Sequence, residues 1–121
     1  MARILIVDDS PAQVYSIKKI IEPEGHEVIT AESGKSGIET AKNTRPDVIL
    51  MDIVMPDMNG YTVTRKLRRD SATKAIPVIF VSTKDNDFDR AWGMRQGAVA
   101  YVTKPVDSQE LLDAVQTALA G

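Results

Sequence analysis

Five side chains have the types needed for one piece of chemistry: Asp8, Asp9, Asp52, Ser82 and Lys104. If they meet, three carboxylates stand together, repel one another and raise their pKa values. A divalent cation relieves that repulsion. Oxygen-only ligands, few of them from protein, suit Mg²⁺, which keeps several waters. Three carboxylates, Lys104 and Mg²⁺ sum to zero charge, so the site is ready for an anionic phosphoryl group. A carboxylate beside the metal is placed to attack phosphorus and form an acyl phosphate. Ammonium and hydroxyl then cover the oxygens on which charge must be stabilised.

Whether these groups meet depends on the elements that carry them. Short runs rich in Val and Ile predict strands at Arg3–Val7, Glu27–Ala31, Val48–Met51, Val78–Val81 and Ala100–Val102. Ile4–Val7, Val48–Met51 and Val78–Val81 are continuously apolar, as strands buried on both faces require. Helix signals lie between them. Ser10-Pro11-Ala12-Gln13 reads as a capping box with Pro at the first helical position, followed by Val14, Ile17 and Ile21 at core spacing and closed by Gly25. Gly34–Asn43 is a weaker helix that holds two glycines, with Ile38 and Ala41 inward. Gly60–Asp70 turns Val63 and Leu67 inward and Arg65, Lys66, Arg68 and Arg69 outward. Asp85–Gln96 is closed by Gly97. A last helix opens with a second capping box, Asp107–Glu110, and is expected to bury Leu111, Leu112, Val115 and Leu119.

Strand and helix thus alternate five times, which implies an α/β fold: a doubly wound five-stranded parallel sheet with helices on both faces. Ligands of such sheets sit at the carboxyl ends of the strands. Asp8 and Asp9 follow the first strand, Asp52 the third, Ser82 and Thr83 the fourth, and Lys104 the fifth.

Composition removes competing chemistries. At 121 residues the chain is expected to be one domain, residues 1–121, hiding about two thirds of the surface its unfolded form exposes. No Cys excludes thiol nucleophiles, disulfides and Cys₄ zinc sites, and one His excludes a His-rich metal site. A net charge of −2 offers no basic surface for nucleic acid. Apolar runs of four or five residues are too short to insert in a membrane, and acidic Asp8 and Asp9 interrupt any signal peptide. A cytoplasmic location is expected.

The sequence resembles the receiver domains of bacterial two-component response regulators (CheY-like). The likeness rests on Val7-Asp8-Asp9, the run Met51–Gly60 around Asp52, the hydroxyl at Ser82, and Tyr101-Val102-Thr103-Lys104-Pro105. It implies a flavodoxin-like sheet of strand order 2-1-3-4-5 and a histidine kinase (CheA-like) as phosphodonor. Position by position, it implies Asp52 as phosphoacceptor, and Asp8, Asp9, Asp52 and the Val54 backbone carbonyl as the Mg²⁺ shell. Lys104 is implied as the ammonium on the phosphoryl group, Ser82 as the switch hydroxyl, and Tyr101 as the aromatic that reports phosphorylation. Ser82 stands where Thr is commoner. Val54 and Lys84 occupy positions implied to tune the lifetime of the phosphoryl group. Trp92–Ala98, with Ser82–Asp85, further resembles the single-domain receivers of type IV pilus chemosensory systems that control twitching motility, the PilH and PilG class, and PilH-like more than PilG-like. A monomer is expected, signalling to a separate output protein that docks around Tyr101 and Trp92.

Other residues have simpler structural readings. His26 reads as a turn residue, Trp92 as packing or interface, and Arg65–Arg69 as a solvated helix face. A flavodoxin would place a hydroxyl- and glycine-rich phosphate loop where Asp8 and Asp9 stand. An aspartate-nucleophile phosphatase would separate its two aspartates by one residue and carry a cap. A phosphate sink, draining a shared kinase with no output of its own, stays within the family.

Overall fold

The computed structural model describes all 121 residues, Met1–Gly121. Strands and helices alternate as β1 (Arg3–Val7), α1 (Pro11–Ile21), β2 (Glu27–Ala31), α2 (Gly34–Thr44), β3 (Val48–Met51), α3 (Gly60–Arg69), β4 (Val78–Ser82), α4 (Asp87–Arg95), β5 (Ala100–Thr103) and α5 (Ser108–Ala120). All strand pairs are parallel, in the order β2-β1-β3-β4-β5. This is the predicted fold and strand order.

The continuously apolar runs are the buried central strands. Their side chains alternate between two cores. Leu5, Val7, Ile49, Met51, Val78, Phe80 and Tyr101 join Ala41, Val63 and Leu67 on one face. Ile4, Ile6, Val48, Leu50, Ile79, Val81 and Val102 join Ile17, Ile21, Leu111, Val115 and Ala118 on the other. So α1 and α5 cover one face while α2 and α3 pack the opposite one.

Several boundaries differ from the sequence expectation. Helix α1 stops at Ile21 because Pro23 has no N–H to continue the ladder; a 3-10 turn, Glu22–Glu24, follows, and Gly25 ends it at φ +89°. The two glycines of α2 mark close packing. A Cβ on Gly37 would lie 2.9 Å from Val7, and one on Gly34 would lie 2.8 Å from Met58. Helix α4 starts at Asp87, two residues late, because Asn86 takes the N-cap and accepts the Asp89 N–H at 2.8 Å. In α5, Ala118 is buried instead of Leu119, which is exposed, and Leu112 is only half-buried. Residues 111, 115 and 118 follow the helical stripe, and 119 lies a further 100° round it.

The two predicted capping boxes form only in their forward half. Ser10 Oγ accepts the Gln13 N–H and Asp107 accepts the Glu110 N–H. The Ser10 N–H is already taken by Asp8 Oδ1 at 2.9 Å. A complete box forms instead at the start of α2, between Ser33 and Ser36.

Arg65 departs from the solvated-face expectation by being half-buried, while Arg68 is exposed as expected but still reaches a neighbour. Arg65 donates to Gln96 Oε1 at 2.8 Å, and Arg68 lies over Gly97, so both tie α3 to the C-terminal end of α4.

Candidate functional site

The strand order reverses between β1 and β3, which opens a crevice at their carboxyl ends. Asp8, Asp52 and Lys104 each extend the sheet ladder one step beyond their strands. The Asp8 N–H donates to Ala31 O at 3.1 Å, Asp52 N–H to Val7 O at 2.9 Å, and Lys104 N–H to Ser82 O at 2.8 Å. The backbone of each is therefore fixed by the rigid sheet.

These positions bring the predicted groups together. Asp8, Asp9 and Asp52 each offer a carboxylate oxygen within 4.8 Å of the others. Asp8 and Asp52 are buried while Asp9 is exposed. Lys104 reaches in from β5, its side chain 7% exposed, with Nζ 2.9 Å from Asp8 Oδ2 and 3.5 Å from Asp52 Oδ1. The Lys104–Pro105 peptide bond is cis.

Burial pushes the Asp52 carboxyl above its ordinary range; Lys104 pulls it down, and the neighbouring Asp8 charge pushes it up again. The cluster holds more negative charge than Lys104 neutralises. Three hard oxygen donors, one of them open to solvent, fit Mg²⁺ with retained waters. Val54 itself is exposed at the start of the loop after β3.

That loop is clamped to Asp52. The Gly60 N–H donates to Ile53 O at 2.8 Å. A Cβ on Gly60 would strike the Asp52 carbonyl and lie 3.0 Å from Ile53 Cα, so only glycine lets α3 start this close to the site.

Ser82 lies at the end of β4 itself and is fully buried. Its Oγ accepts the Lys84 N–H at 3.2 Å, and the Lys84 carbonyl accepts the Tyr101 hydroxyl at 2.6 Å. One backbone residue thus joins the two predicted switch side chains. Tyr101 points inward and is 8% exposed; burial pushes its hydroxyl up to about 12. Its ring meets Phe80 at 6.1 Å and carries the Arg90 guanidinium at 5.3 Å. Arg90 also donates to Thr103 Oγ1 at 2.8 Å. Outside this seat, Phe88 and Trp92 are exposed on α4, one turn apart.

The sequence matches the response regulator receiver domain family over residues 4–116. The chain belongs to that family. It is 54% identical to the protein PilH of Pseudomonas aeruginosa across the full length of both chains. It is 35% identical to PilG of the same organism, covering 94% of this chain and 84% of that protein. Its fold superposes on the chemotaxis response regulator CheY4 of Vibrio cholerae with a TM-score of 0.90 at 31% identity, covering 98% of this chain and 99% of that one. The receiver and its PilH/PilG likeness, both expected from the motifs, are thereby established.

The structure also gives structural roles to residues for which the sequence implied none of this kind. Gly93, Arg90 and the Lys84 backbone build the Tyr101 seat. Asp57 binds the start of α2. Spacing does not reveal these contacts, because each is made with a neighbour distant in sequence or through the backbone.

Proposed function

We propose that this receiver accepts a phosphoryl group from a histidine kinase onto Asp52, with Mg²⁺, and so changes which partner it binds. The observation that carries this reading is Lys104 Nζ lying between Asp8 and Asp52 at the rim of the three-carboxylate cluster. An Asp52 carboxylate oxygen attacks phosphorus; the new O–P bond forms as the donor's P–N bond breaks, and the histidine leaves with its electron pair. Lys104, held by Asp8, is placed to pair with a phosphoryl oxygen. Asp8, Asp9, Asp52 and the Val54 carbonyl would hold Mg²⁺, whose charge offsets that building on the phosphoryl oxygens.

Ser82 Oγ then leaves the Lys84 N–H for the phosphoryl group. That disturbs the residue whose carbonyl anchors the Tyr101 hydroxyl, which couples local charge to the α4–β5 surface. A separate output protein docks on that surface around Tyr101 and Trp92. The similarity to PilH supports a stand-alone cytoplasmic regulator, residues 1–121, acting in type IV pilus twitching motility.

The test is uptake of labelled phosphate from a small acyl phosphate donor. Wild type should be labelled only with Mg²⁺, and Asp52→Asn should stay unlabelled. Label on Asp52→Asn, or uptake indifferent to Mg²⁺, would overturn the mechanism. A source strain carrying Asp52→Asn should show altered surface motility.

A further inference from the structure

A cleft opens at the edge of the sheet opposite the carboxylate cluster, at the amino ends of β4 and β5. Its volume is about 380 Å³, and Ile76, Pro77, Val99 and Ala118 form its apolar lining. Pro77 immediately precedes β4 and Val99 immediately precedes β5. Ile76 packs on the core, while Val99 is 45% exposed. An apolar concavity of this size with few polar groups suits an inserted side chain or small group.

Arg68, in the last turn of α3, also lines the cleft. Its aliphatic stem lies on Gly97, which has φ +105°, and a Cβ on Gly97 would strike Arg68 Cδ and Nε. Glycine here serves both the left-handed turn after α4 and the close approach of the arginine. The guanidinium donates one N–H to the Gly97 carbonyl at 3.4 Å and has others to offer. No carboxylate pairs with it: the ion pairs of the protein are made by Arg3, Lys42 and Lys104. The carboxylates closest along α3 and α5 are already engaged. Asp70 pairs with Lys42 at 3.1 Å and accepts the Ala72 N–H. Asp113, one turn before Thr117, accepts from Gln109 at 2.8 Å. Lys74 is exposed beside Ala75, another residue of the cleft. Cations are favoured at a helix C-terminus, which accounts for charge on the last turn of α3. It does not account for a guanidinium laid over a neighbouring turn at the mouth of an apolar cleft.

We propose that this cleft docks an acidic segment of a partner protein. A carboxylate of the segment pairs with Arg68, and an adjacent apolar side chain enters between Ile76, Pro77, Val99 and Ala118. A guanidinium takes a carboxylate in a two-bond fork, and one whose stem is already placed loses little freedom on binding. Acidic motifs are recognised by arginine in this way, and Lys74 adds positive charge at the rim. The apolar groups line a concavity, which suits a protruding side chain better than a bilayer, and no aromatic ring lines it to stack a base. The surface is separate from the α4–β5 face and is independent of the chemistry at Asp52.

Binding to the full chain is followed by the fluorescence anisotropy of a short labelled peptide of alternating Glu and Ser with one central Leu. Wild type should bind it, less tightly as salt rises. Arg68→Glu should weaken binding by about 10- to 30-fold, and Arg68→Lys, which keeps the charge but not the fork, by less. Arg69→Glu is the control: Arg69 is exposed on the same turn and lies outside the cleft, so its loss should matter far less. Replacing the peptide's Leu by Ser should weaken binding to wild type about 10-fold, and that loss should shrink in Val99→Ser. Circular dichroism checks that each variant is folded. Should Arg68→Glu not fold, Arg68→Ala against Arg69→Ala makes the same comparison. Equal losses at Arg68 and Arg69 would reduce the site to diffuse basic charge and overturn the proposal. So would absence of binding to wild type, a Leu that contributes nothing, or tighter Arg68-dependent binding of phosphatidylglycerol vesicles or of oligo-thymidine.

Discussion

Asp52 is costly to the metal-free protein in the state its chemistry needs. Its folded pKa lies above the ordinary 3.8, chiefly through burial. An acid raised in this way binds its proton more readily folded than unfolded. Its destabilising effect is therefore full at neutral pH and is relieved as pH falls through the raised value toward 3.8. Asp57 and Asp70 have the opposite sign: backbone N–H bonds lower their pKa values, so what they contribute is lost only as pH falls below 3.8. Urea denaturation without Mg²⁺ should show Asp52→Asn more stable than wild type at pH 7. The gap should close in mildly acidic solution, before the acid unfolding that both share. Equal stabilities at pH 7 would mean that Asp52 is not held at a cost.

Among the helices, α4 is packed most lightly: its one buried residue is Gly93. Glycine in a helix interior ordinarily costs about 1 kcal/mol against alanine. Here a Cβ would lie 3.0 Å from Tyr101 Cδ2 and 3.1 Å from Phe80 Cδ2. The glycine thus makes room for the inward Tyr101 ring. Gly93→Ala should fail to gain the expected ~1 kcal/mol, and should lose about 1–3 kcal/mol if the ring cannot shift. In a Tyr101→Ala background the same change should recover the ordinary helix gain, and a double-mutant cycle in urea measures the difference. Helix α3 contrasts with α4. It buries Val63 and Leu67, and it grips the far end of α4 through Arg65 and Arg68.

For the whole molecule, the site joins three strands that are distant in sequence. Asp8 and Lys104 are 96 residues apart yet make one ion pair, so occupying the site acts on the global fold. Mg²⁺ binding only the folded chain should raise the unfolding free energy by about 2.7 kcal/mol at 100 times its dissociation constant. Asp9→Asn should remove much of that gain while leaving metal-free stability nearly unchanged, because Asp9 is exposed. Chemical denaturation with and without Mg²⁺ checks both. No helix is long and apolar enough to cross a membrane. The exposed large apolar residues include Phe88, Trp92 and Met94 on α4, the helix beside the Tyr101 seat.

The order of elements, the three buried strands and the meeting of Asp8, Asp9, Asp52 and Lys104 at one sheet edge were legible in the sequence. Continuous apolar runs specify strands buried on both faces, and a parallel sheet delivers whatever follows each strand to one edge. Helix ends were legible only in part. Ser10 and Asp107 cap as read, but the Ser10 amide went to Asp8, and α4 began at whichever residue could use Asn86 as its cap. The burial of Tyr101, the arginine grip on α4 and the Asp57 clamp belong to the tertiary structure alone. Each joins residues separated by 11 to 31 positions along the chain. Periodicity records which face of an element is apolar, whereas a hydrogen bond between two elements needs their distance and angle, and packing supplies both.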